Sequence, residues 1–274
     1  MSRTYGALSL LNKRPLNIFT PDIGEVVSMS SIYMVNNLPV VKDQADMPVC
    51  AALVALTMYE QLLLRENLHK QLGFRGTELG WAWIYLSGRE LVTKDAESVI
   101  EEQLLTGLPL VVALDALVEK GVLVGGLHGN LHINNPMVMA EELERLTYTP
   151  TGQLAVPVRY LAVLPTIEAL CAAVESQYVI GFAFGIDENI DRWMHSKYLQ
   201  QATSFQLPDP QSGAPRLATH AAIITAVDSK LMRVTVQNSF GIKFGTMGFF
   251  FISLHLLLRP KFSNLEFYVL TRAG

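Results

Sequence analysis

Hydrophobic and polar positions divide the chain into a helical first half and a β-rich second half. The longest apolar run of the first half is CAALVALTMYEQLLLR, residues 50–65, which holds no glycine or proline and many strong helix formers. Its apolar residues fall on every side of the helix, a pattern typical of a helix that is buried all round. We therefore expect a central helix that begins at Cys50.

Two further helices are predicted in the first half of the chain. One covers about residues 78–91, and the other is GLPLVVALDALVEKG, residues 107–121, with Gly121 as its C-cap. Residues 1–45 are interrupted by three prolines, so we expect irregular chain with short extended pieces there.

Strand patterns dominate from about residue 150 onward. The predicted strands are VPVRYLAVL (156–164), YVIGFAFGI (178–186), ATHAAIITAV (218–227), LMRVTVQNS (231–239), GFFFISLHLLL (248–258) and LEFYVLTR (265–272). A short helix, residues 166–176, separates the first two strands. The whole pattern predicts an α+β fold with two lobes. We divide it into an N-terminal extension (1–37), a helical lobe (38–150) and a β-rich lobe (151–274).

Composition narrows the classes of protein that the chain can represent. Half of the residues are apolar and 17% are charged, which excludes a disordered chain. The net charge of −4 gives no basic surface, so we expect no nucleic-acid partner. The most apolar stretch, residues 248–258, is about half the length that a membrane span requires, so we expect no span.

Two cysteines, Cys50 and Cys171, are too few for a disulfide framework, and this favours a reducing environment. Cys171 lies on the apolar face of the short helix, where we expect it to pack in the core. The N-terminal sequence has no continuous apolar stretch of the signal-peptide kind. We expect a cytoplasmic protein, or one delivered without a signal peptide as an effector or virion component. Histidines and cysteines show no metal-ligand spacing, so we expect no metal and no cofactor.

The first candidate for chemistry is VKDQADMPVC, in which Gln44 precedes Cys50 by six positions. A thiol is a nucleophile only as thiolate, and a helix N-terminus beside a protonated histidine lowers its pKa. Backbone N–H groups at the helix start, together with a glutamine amide, can also hold an oxyanion. Alone, a cysteine on an apolar helix is more often ordinary core packing.

The second candidate pairs His220, inside an apolar strand, with Asn238 at the end of the next strand. Burying an imidazole among alanine and isoleucine is costly unless the ring has a partner. In a hairpin the Asn238 amide oxygen can accept the ring N–H, which fixes the tautomer. Alternatively, His220 is a structural histidine, and Asn238 begins a turn before Gly241.

Taken together, these segments resemble the papain-like cysteine peptidases over most of the chain, from about Leu38 onward. That family carries Q-x5-C on its central helix, H-A-[VA] in a strand, and N-S-W-G-x-x-W-G-x-x-G-[YF], in this order. The corresponding residues here are Gln44 and Cys50, then His220-Ala221-Ala222, then Asn238-Ser239-Phe240-Gly241 with Phe244-Gly245 and Gly248-Phe249. Both tryptophans of the family motif are phenylalanine in this chain.

The resemblance implies a two-lobed papain-like fold, with a helical left lobe and a β-barrel-like right lobe. It also implies roles: Cys50 as nucleophile, His220 as base, Asn238 as the residue that orients the base, and Gln44 in the oxyanion hole. Phe240 would cover the His–Asn bond. A looser match implies that Gly107 contacts the backbone of an extended polypeptide substrate.

The chain departs from the family pattern around the nucleophile. Pro48-Val49-Cys50-Ala51 replaces the usual G-S-C-W, which changes the walls around the thiol. Only 49 residues precede Cys50, so we expect a bacterial- or viral-type member without a long pro-segment. The sequence predicts a cysteine peptidase that forms a thioester acyl-enzyme. Two alternatives stay open: a weakly active or inactive papain-like component of a larger protein assembly, and a thiol acyl-transferase that uses the same triad.

Overall fold

The computed structural model describes residues 17–20, 31–71, 80–92, 107–123, 153–154, 156–196 and 205–274. The helices of these residues are α1 (Cys50–Arg65), α2 (Leu68–Gln71), α3 (Trp81–Val92), α4 (Leu110–Lys120), α5 (Ile167–Glu175), α6 (Glu188–Ser196), α7 (Leu254–Leu257) and α8 (Pro260–Ser263). The strands are β1 (Ile32–Met34), β2 (Val122–Leu123), β3 (Gln153–Leu154), β4 (Val158–Ala162), β5 (Ile180–Ile186), β6 (Ala218–Asp228), β7 (Arg233–Gln237), β8 (Phe249–Ser253) and β9 (Phe267–Arg272).

Seven of the strands form one antiparallel sheet. Its order is β4-β9-β5-β6-β7-β8, and β1 pairs with the far end of β6. The predicted α+β fold, a helical region with a sheet domain, is confirmed. The expected barrel-like form is not, because among the described strands the sheet is not closed into a barrel.

Helix α1 is the centre of the molecule. It packs against α3 and α4 on the helical side and against β6 on the sheet side. Because neighbours surround it, every residue from Cys50 to Leu63 is buried. The uniform apolar pattern predicted this helix and its burial, and both predictions are confirmed.

The strand predicted over residues 248–258 is wrong in its second half. Strand β8 ends at Ser253, and α7 follows at once. The Ser253 hydroxyl accepts the Leu256 N–H at 3.3 Å, which caps the new helix. An apolar run alone does not separate a strand from a buried helical turn, and the serine was the missed signal.

Helix α6 was not predicted from the sequence. The segment is polar, and only Ile190 and Met194, one helical turn apart, are buried in it. The Asp187 carboxylate accepts the Ile190 N–H at 2.9 Å, so an aspartate N-cap starts the helix. Two apolar residues give too weak a periodic signal for a prediction.

The proposed domain limits stay a prediction, since the limit near residue 150 lies outside the described residues. Part of the predicted N-terminal extension belongs to the sheet, because β1 pairs Tyr33 with Val227 of β6. Among the described helices, none combines the length and apolar character that crossing a membrane requires.

Candidate active site

Cys50 is the first residue of α1 and is fully buried. Val49 is the N-cap residue and provides no side-chain cap, and the first turn carries no acidic residue. The positive end of the helix dipole therefore acts on the thiol without a competing carboxylate in that turn. A helix N-terminus favours the thiolate form of a cysteine, whereas burial among apolar groups opposes it.

One wall near Cys50 comes from α3. Burial raises the pKa of Tyr85, Arg89 opposes this rise, and a negative charge on Cys50 adds to it, so the hydroxyl and the thiol lie within electrostatic reach. Arg89 donates to the Tyr85 hydroxyl at 3.1 Å and to the Gly107 carbonyl at 3.2 Å. The Gly107 carbonyl is thus held by a buried arginine of α3.

His220 and Asn238 lie side by side at the open end of the β6–β7 hairpin, where β6 begins and β7 ends. His220 is fully buried, and its Nε2 lies 2.7 Å from Asn238 Oδ1. An amide oxygen can only accept, so Nε2 carries the proton and Nδ1 keeps the lone pair. The same Oδ1 also accepts the Ser239 N–H at 2.9 Å, which fixes the amide. This tautomer leaves Nδ1 as the basic nitrogen.

Aromatic rings enclose the imidazole. The Phe240 ring lies 4.8 Å from the His220 ring between centroids, and the edge-on Phe184 ring lies at 5.6 Å. Both phenylalanines are fully buried, and Phe244 packs on Phe240 at 5.5 Å. In this dry, apolar setting the His220–Asn238 hydrogen bond is stronger than it would be in water.

Gln44 is bound to the segment that follows β7. Its Oε1 accepts the Ser239 hydroxyl at 2.6 Å, its backbone N–H donates to the Ser239 carbonyl at 2.8 Å, and its Nε2 donates to the Met47 carbonyl at 2.8 Å. A primary amide carries two N–H groups, so one remains for a ligand. No role of its own was predicted for Ser239 from the sequence, although it belongs to the N-S-F-G segment.

A partly buried ion pair, not predicted from the sequence, also joins this region to α1. The Lys42 ammonium lies 2.9 and 2.7 Å from the two carboxylate oxygens of Glu60. Burial raises the pKa of Glu60, and the attraction of Lys42 opposes that rise. A glutamate inside the apolar run of residues 50–65 was a signal that could have found it, since a buried carboxylate needs a partner.

The layer with Cys50 faces the layer with His220. A cavity of about 10 Å³ between them is lined by Leu53 and Thr57 of α1 and by Ala222, Asn238 and Ser239 of the sheet side. The first two turns of α1 therefore lie directly over the end of the β6–β7 hairpin.

The side chains of this region are closed off from solvent. Cys50 and His220 are 0% exposed, and Gln44 and Asn238 are 3% exposed. A substrate carbonyl can reach the sulfur only after covering residues move. Among the described residues, no group of three or more histidine, cysteine, aspartate or glutamate side chains could hold a metal ion.

Comparisons with known proteins agree with this architecture. No family model matches the chain, and no curated protein matches it significantly in sequence. Solved structures do match. Xylellain, a cysteine protease from Xylella fastidiosa, superposes with a TM-score of 0.74 at 14% identity, over 100% of this chain and 97% of the other.

Procathepsins are also similar in structure. ProCathepsin B S9 from Trypanosoma congolense gives a TM-score of 0.60 at 11% identity, over 99% of this chain and 86% of its own. Digestive procathepsin L 3 of Tenebrio molitor gives 0.54 at 12% identity, over 93% and 74%. The fold is papain-like. At identities this low, the structural match establishes only the architecture. The chemistry has to be argued from the side chains of this chain.

Proposed function

We propose that the chain is a cysteine peptidase that hydrolyses peptide bonds through Cys50, His220 and Asn238. The observation that carries the proposal is the 2.7 Å contact between His220 Nε2 and Asn238 Oδ1. The His220 ring packs against Phe240. His220 belongs to β6, which packs against the helix that begins at Cys50. A histidine held in one tautomer, on a strand that packs against a thiol-bearing helix, is suited to general-base catalysis.

The first half of the reaction forms an acyl-enzyme. His220 Nδ1 takes the thiol proton, and the Cys50 sulfur attacks the peptide carbonyl carbon to form a tetrahedral oxyanion. The Cys50 backbone N–H and the second amide N–H of Gln44 stabilise this oxyanion. The C–N bond then breaks, the imidazolium gives its proton to the leaving amine, and a thioester links the acyl group to Cys50.

The second half releases the acyl group. Water attacks the thioester carbonyl while His220 takes a proton from it, and the sulfur leaves and regains a proton. Asn238 holds the imidazole in the same tautomer throughout, because its Oδ1 is fixed by the Ser239 N–H. The substrate in this scheme is a polypeptide, and the scheme uses no cofactor.

A specific observation favours a second candidate, a papain-like protein that serves as an inactive component of an assembly. The thiol and the imidazole are completely buried. In addition, Pro48-Val49 stands where the papain-like peptidases usually have Gly-Ser, so the resemblance is weaker beside the nucleophile. A scaffold would keep the fold without needing access to Cys50.

Intact-mass analysis after treatment with a thiol-directed peptidyl epoxide separates the two candidates. The peptidase predicts one adduct on Cys50 of the native protein, lost in Cys50→Ala and in His220→Ala. Asn238→Ala should slow the adduct's formation. Labelling at Cys171 instead, or at neither cysteine, would support the scaffold and reject the peptidase.

A further inference from the structure

A groove of about 540 Å³ lies beside the end of β5 and is separate from the candidate catalytic residues. We name it the cationic groove. It is lined by Gly185, Ile186 and Asp187, by residues 210–214 and Arg216, and by Arg259, Lys261 and Phe262. Its volume lies within the range of sites that take small ligands or substrate side chains.

Arg216 is held in a fixed position at this groove. Its Nη2 donates to the Lys261 carbonyl at 2.8 Å and to the Phe262 carbonyl at 3.0 Å. Gly185 lies directly beneath the guanidinium, and a Cβ at that position would collide with it. A glycine in a strand often marks a place where another group must approach the backbone closely. The strand therefore provides a seat for this arginine.

The positive charges of the groove exceed the negative ones. The Asp187 carboxylate is used by the N–H groups of Ile190 and Gln211, and it caps α6. Arg259 forms an exposed pair with Asp209 at 3.3 Å. Within the described part of the chain, no carboxylate forms an ion pair with Arg216 or Lys261.

The close packing of the Arg216 guanidinium over Gly185 strengthens the case for an anionic ligand. Burial lowers the pKa of the Arg216 guanidinium, so this charge has lost part of its hydration. A cation with less water around it gains more from a nearby anion. Together with the exposed Lys261, Arg216 forms a local attraction for negative groups in a chain of net charge −4.

The groove lies close to His220. Gly185 pairs with Thr219 and Phe184 pairs with His220 in the β5–β6 ladder. Phe262, which lines the groove, stacks on Phe184 at 5.4 Å, and Phe184 meets the His220 ring edge-on at 5.6 Å. One strand residue advances the chain by about 3.3 Å, so Gly185, one residue beyond Phe184, places the groove beside the His220 end of the β5–β6 ladder.

We propose that the cationic groove binds an acidic side chain of the polypeptide substrate, through Arg216 and Lys261. This inference rests on the proposed peptidase function, because it assigns a side-chain preference to the same substrate. Guanidinium and ammonium groups form charge-assisted hydrogen bonds to carboxylates, and these are among the stronger hydrogen bonds of proteins.

Binding can be measured without catalysis by using the full-length Cys50→Ala variant. Two fluorescein-labelled peptides, identical except that glutamate in one replaces glutamine in the other, are titrated by fluorescence anisotropy at low salt. We expect the glutamate peptide to bind about tenfold more tightly, because one hydrogen bond between charged groups changes Kd by about this factor. The preference should shrink as salt is added. Equal affinities would overturn the inference.

Charge-matched variants in the same background locate the preference. Arg216→Gln with Lys261→Gln should abolish it, whereas Lys230→Gln with Arg233→Gln removes the same charge at the opposite end of β6 and should leave it intact. Lys261→Gln alone changes an exposed side chain, and it should reduce the preference even if the Arg216 change impairs folding. A preference that persists without Arg216 and Lys261, or that disappears in the Lys230/Arg233 control, would reject the groove.

Kinetics of the unaltered protein distinguish this inference from the function on which it rests. Cleavage of both peptides with equal kcat/KM rejects the acidic preference and keeps the peptidase. Cleavage of neither peptide, with selective binding retained, rejects the peptidase and keeps the groove as a site for acidic polypeptide. Inorganic phosphate that binds while neither peptide does would assign the groove to a small anion and overturn the inference.

Discussion

Asn238 makes two contacts that together set the chemistry of His220. Its Oδ1 accepts from the imidazole at 2.7 Å and from the Ser239 N–H at 2.9 Å. The side chain is 3% exposed, so water does not compete for either bond. Because the amide oxygen has two lone pairs, one atom can fix both its own orientation and the tautomer of the histidine. Ser239 extends this network to Gln44.

A first prediction concerns that extension. Gln44→Ala should lower kcat by roughly 100-fold to 1,000-fold, the usual loss when one oxyanion donor is removed. Ser239→Ala should cost less, because it releases the Gln44 amide without removing it. Steady-state kinetics with one peptide substrate measures both. If Ser239→Ala were the more damaging change, Gln44 would not be an oxyanion donor.

A second prediction at the residue scale concerns Cys171. Burial chiefly raises the pKa of this thiol to about 11, and Glu168 and Glu175 add to the rise. At neutral pH only about one molecule in ten thousand then carries the thiolate, the reactive form. Iodoacetamide should leave Cys171 unmodified in the folded protein and modify it in denaturant, as read by peptide mapping. Rapid labelling of the folded protein at Cys171 would contradict this placement.

At the scale of elements, the segment before α1 is bound to both lobes. Its backbone pairs with the segment after β7. The Gly241 N–H donates to the Lys42 carbonyl at 2.9 Å, and Asp43 and Phe240 form an isolated antiparallel β-bridge. Its Lys42 side chain pairs with Glu60 in the middle of α1. These contacts hold Gln44 between the helix that carries the thiol and the hairpin that carries the imidazole.

The Lys42–Glu60 pair gives a prediction about stability. Glu60→Gln should destabilise the protein by about 3 kcal/mol, near the lower end for breaking a buried ion pair, because Lys42 stays 16% exposed and can turn to solvent. Replacing both residues by methionine should cost less than Glu60→Gln, since no charge is then left buried. Urea unfolding measures all three proteins. A double variant less stable than the single one would show that the charges themselves stabilise the fold.

The elements that the sequence predicted well are those whose apolar pattern is unambiguous. Helix α1 begins and ends as predicted because all its faces are buried. Helices α6 and α7 were not predicted, because a single capping side chain decides where each begins. Asp187 starts α6, and Ser253 starts α7. In the candidate site, the motif predicted the neighbours His220 and Asn238. The Lys42–Glu60 pair depends on a tertiary contact: Glu60 in an apolar run signals that a partner is needed, and no local pattern identifies Lys42 as that partner.

At the scale of the whole molecule, buried tyrosine and cysteine side chains stay uncharged in the folded protein up to a higher pH than in the unfolded chain. Burial raises the pKa of Tyr59 and of Tyr268 above the ordinary 10.0, and raises that of Cys171 from 9.0 to about 11. A group whose pKa is higher in the folded state ionises first in the unfolded chain. Its contribution to stability is complete below the unfolded pKa and is lost as pH rises toward the folded pKa.

The free energy of unfolding should therefore fall as pH rises above about 9, first through Cys171 and then through the tyrosines. Urea unfolding in steps from neutral pH to pH 11 measures this fall. Cys171→Ala removes the thiol that titrates first, so the fall should begin at higher pH in that variant, where only the phenols contribute. An unfolding free energy that stayed constant across this range would mean that these groups open to solvent in the native state, and the buried core around α5 and β9 would then have to be looser than its packing indicates.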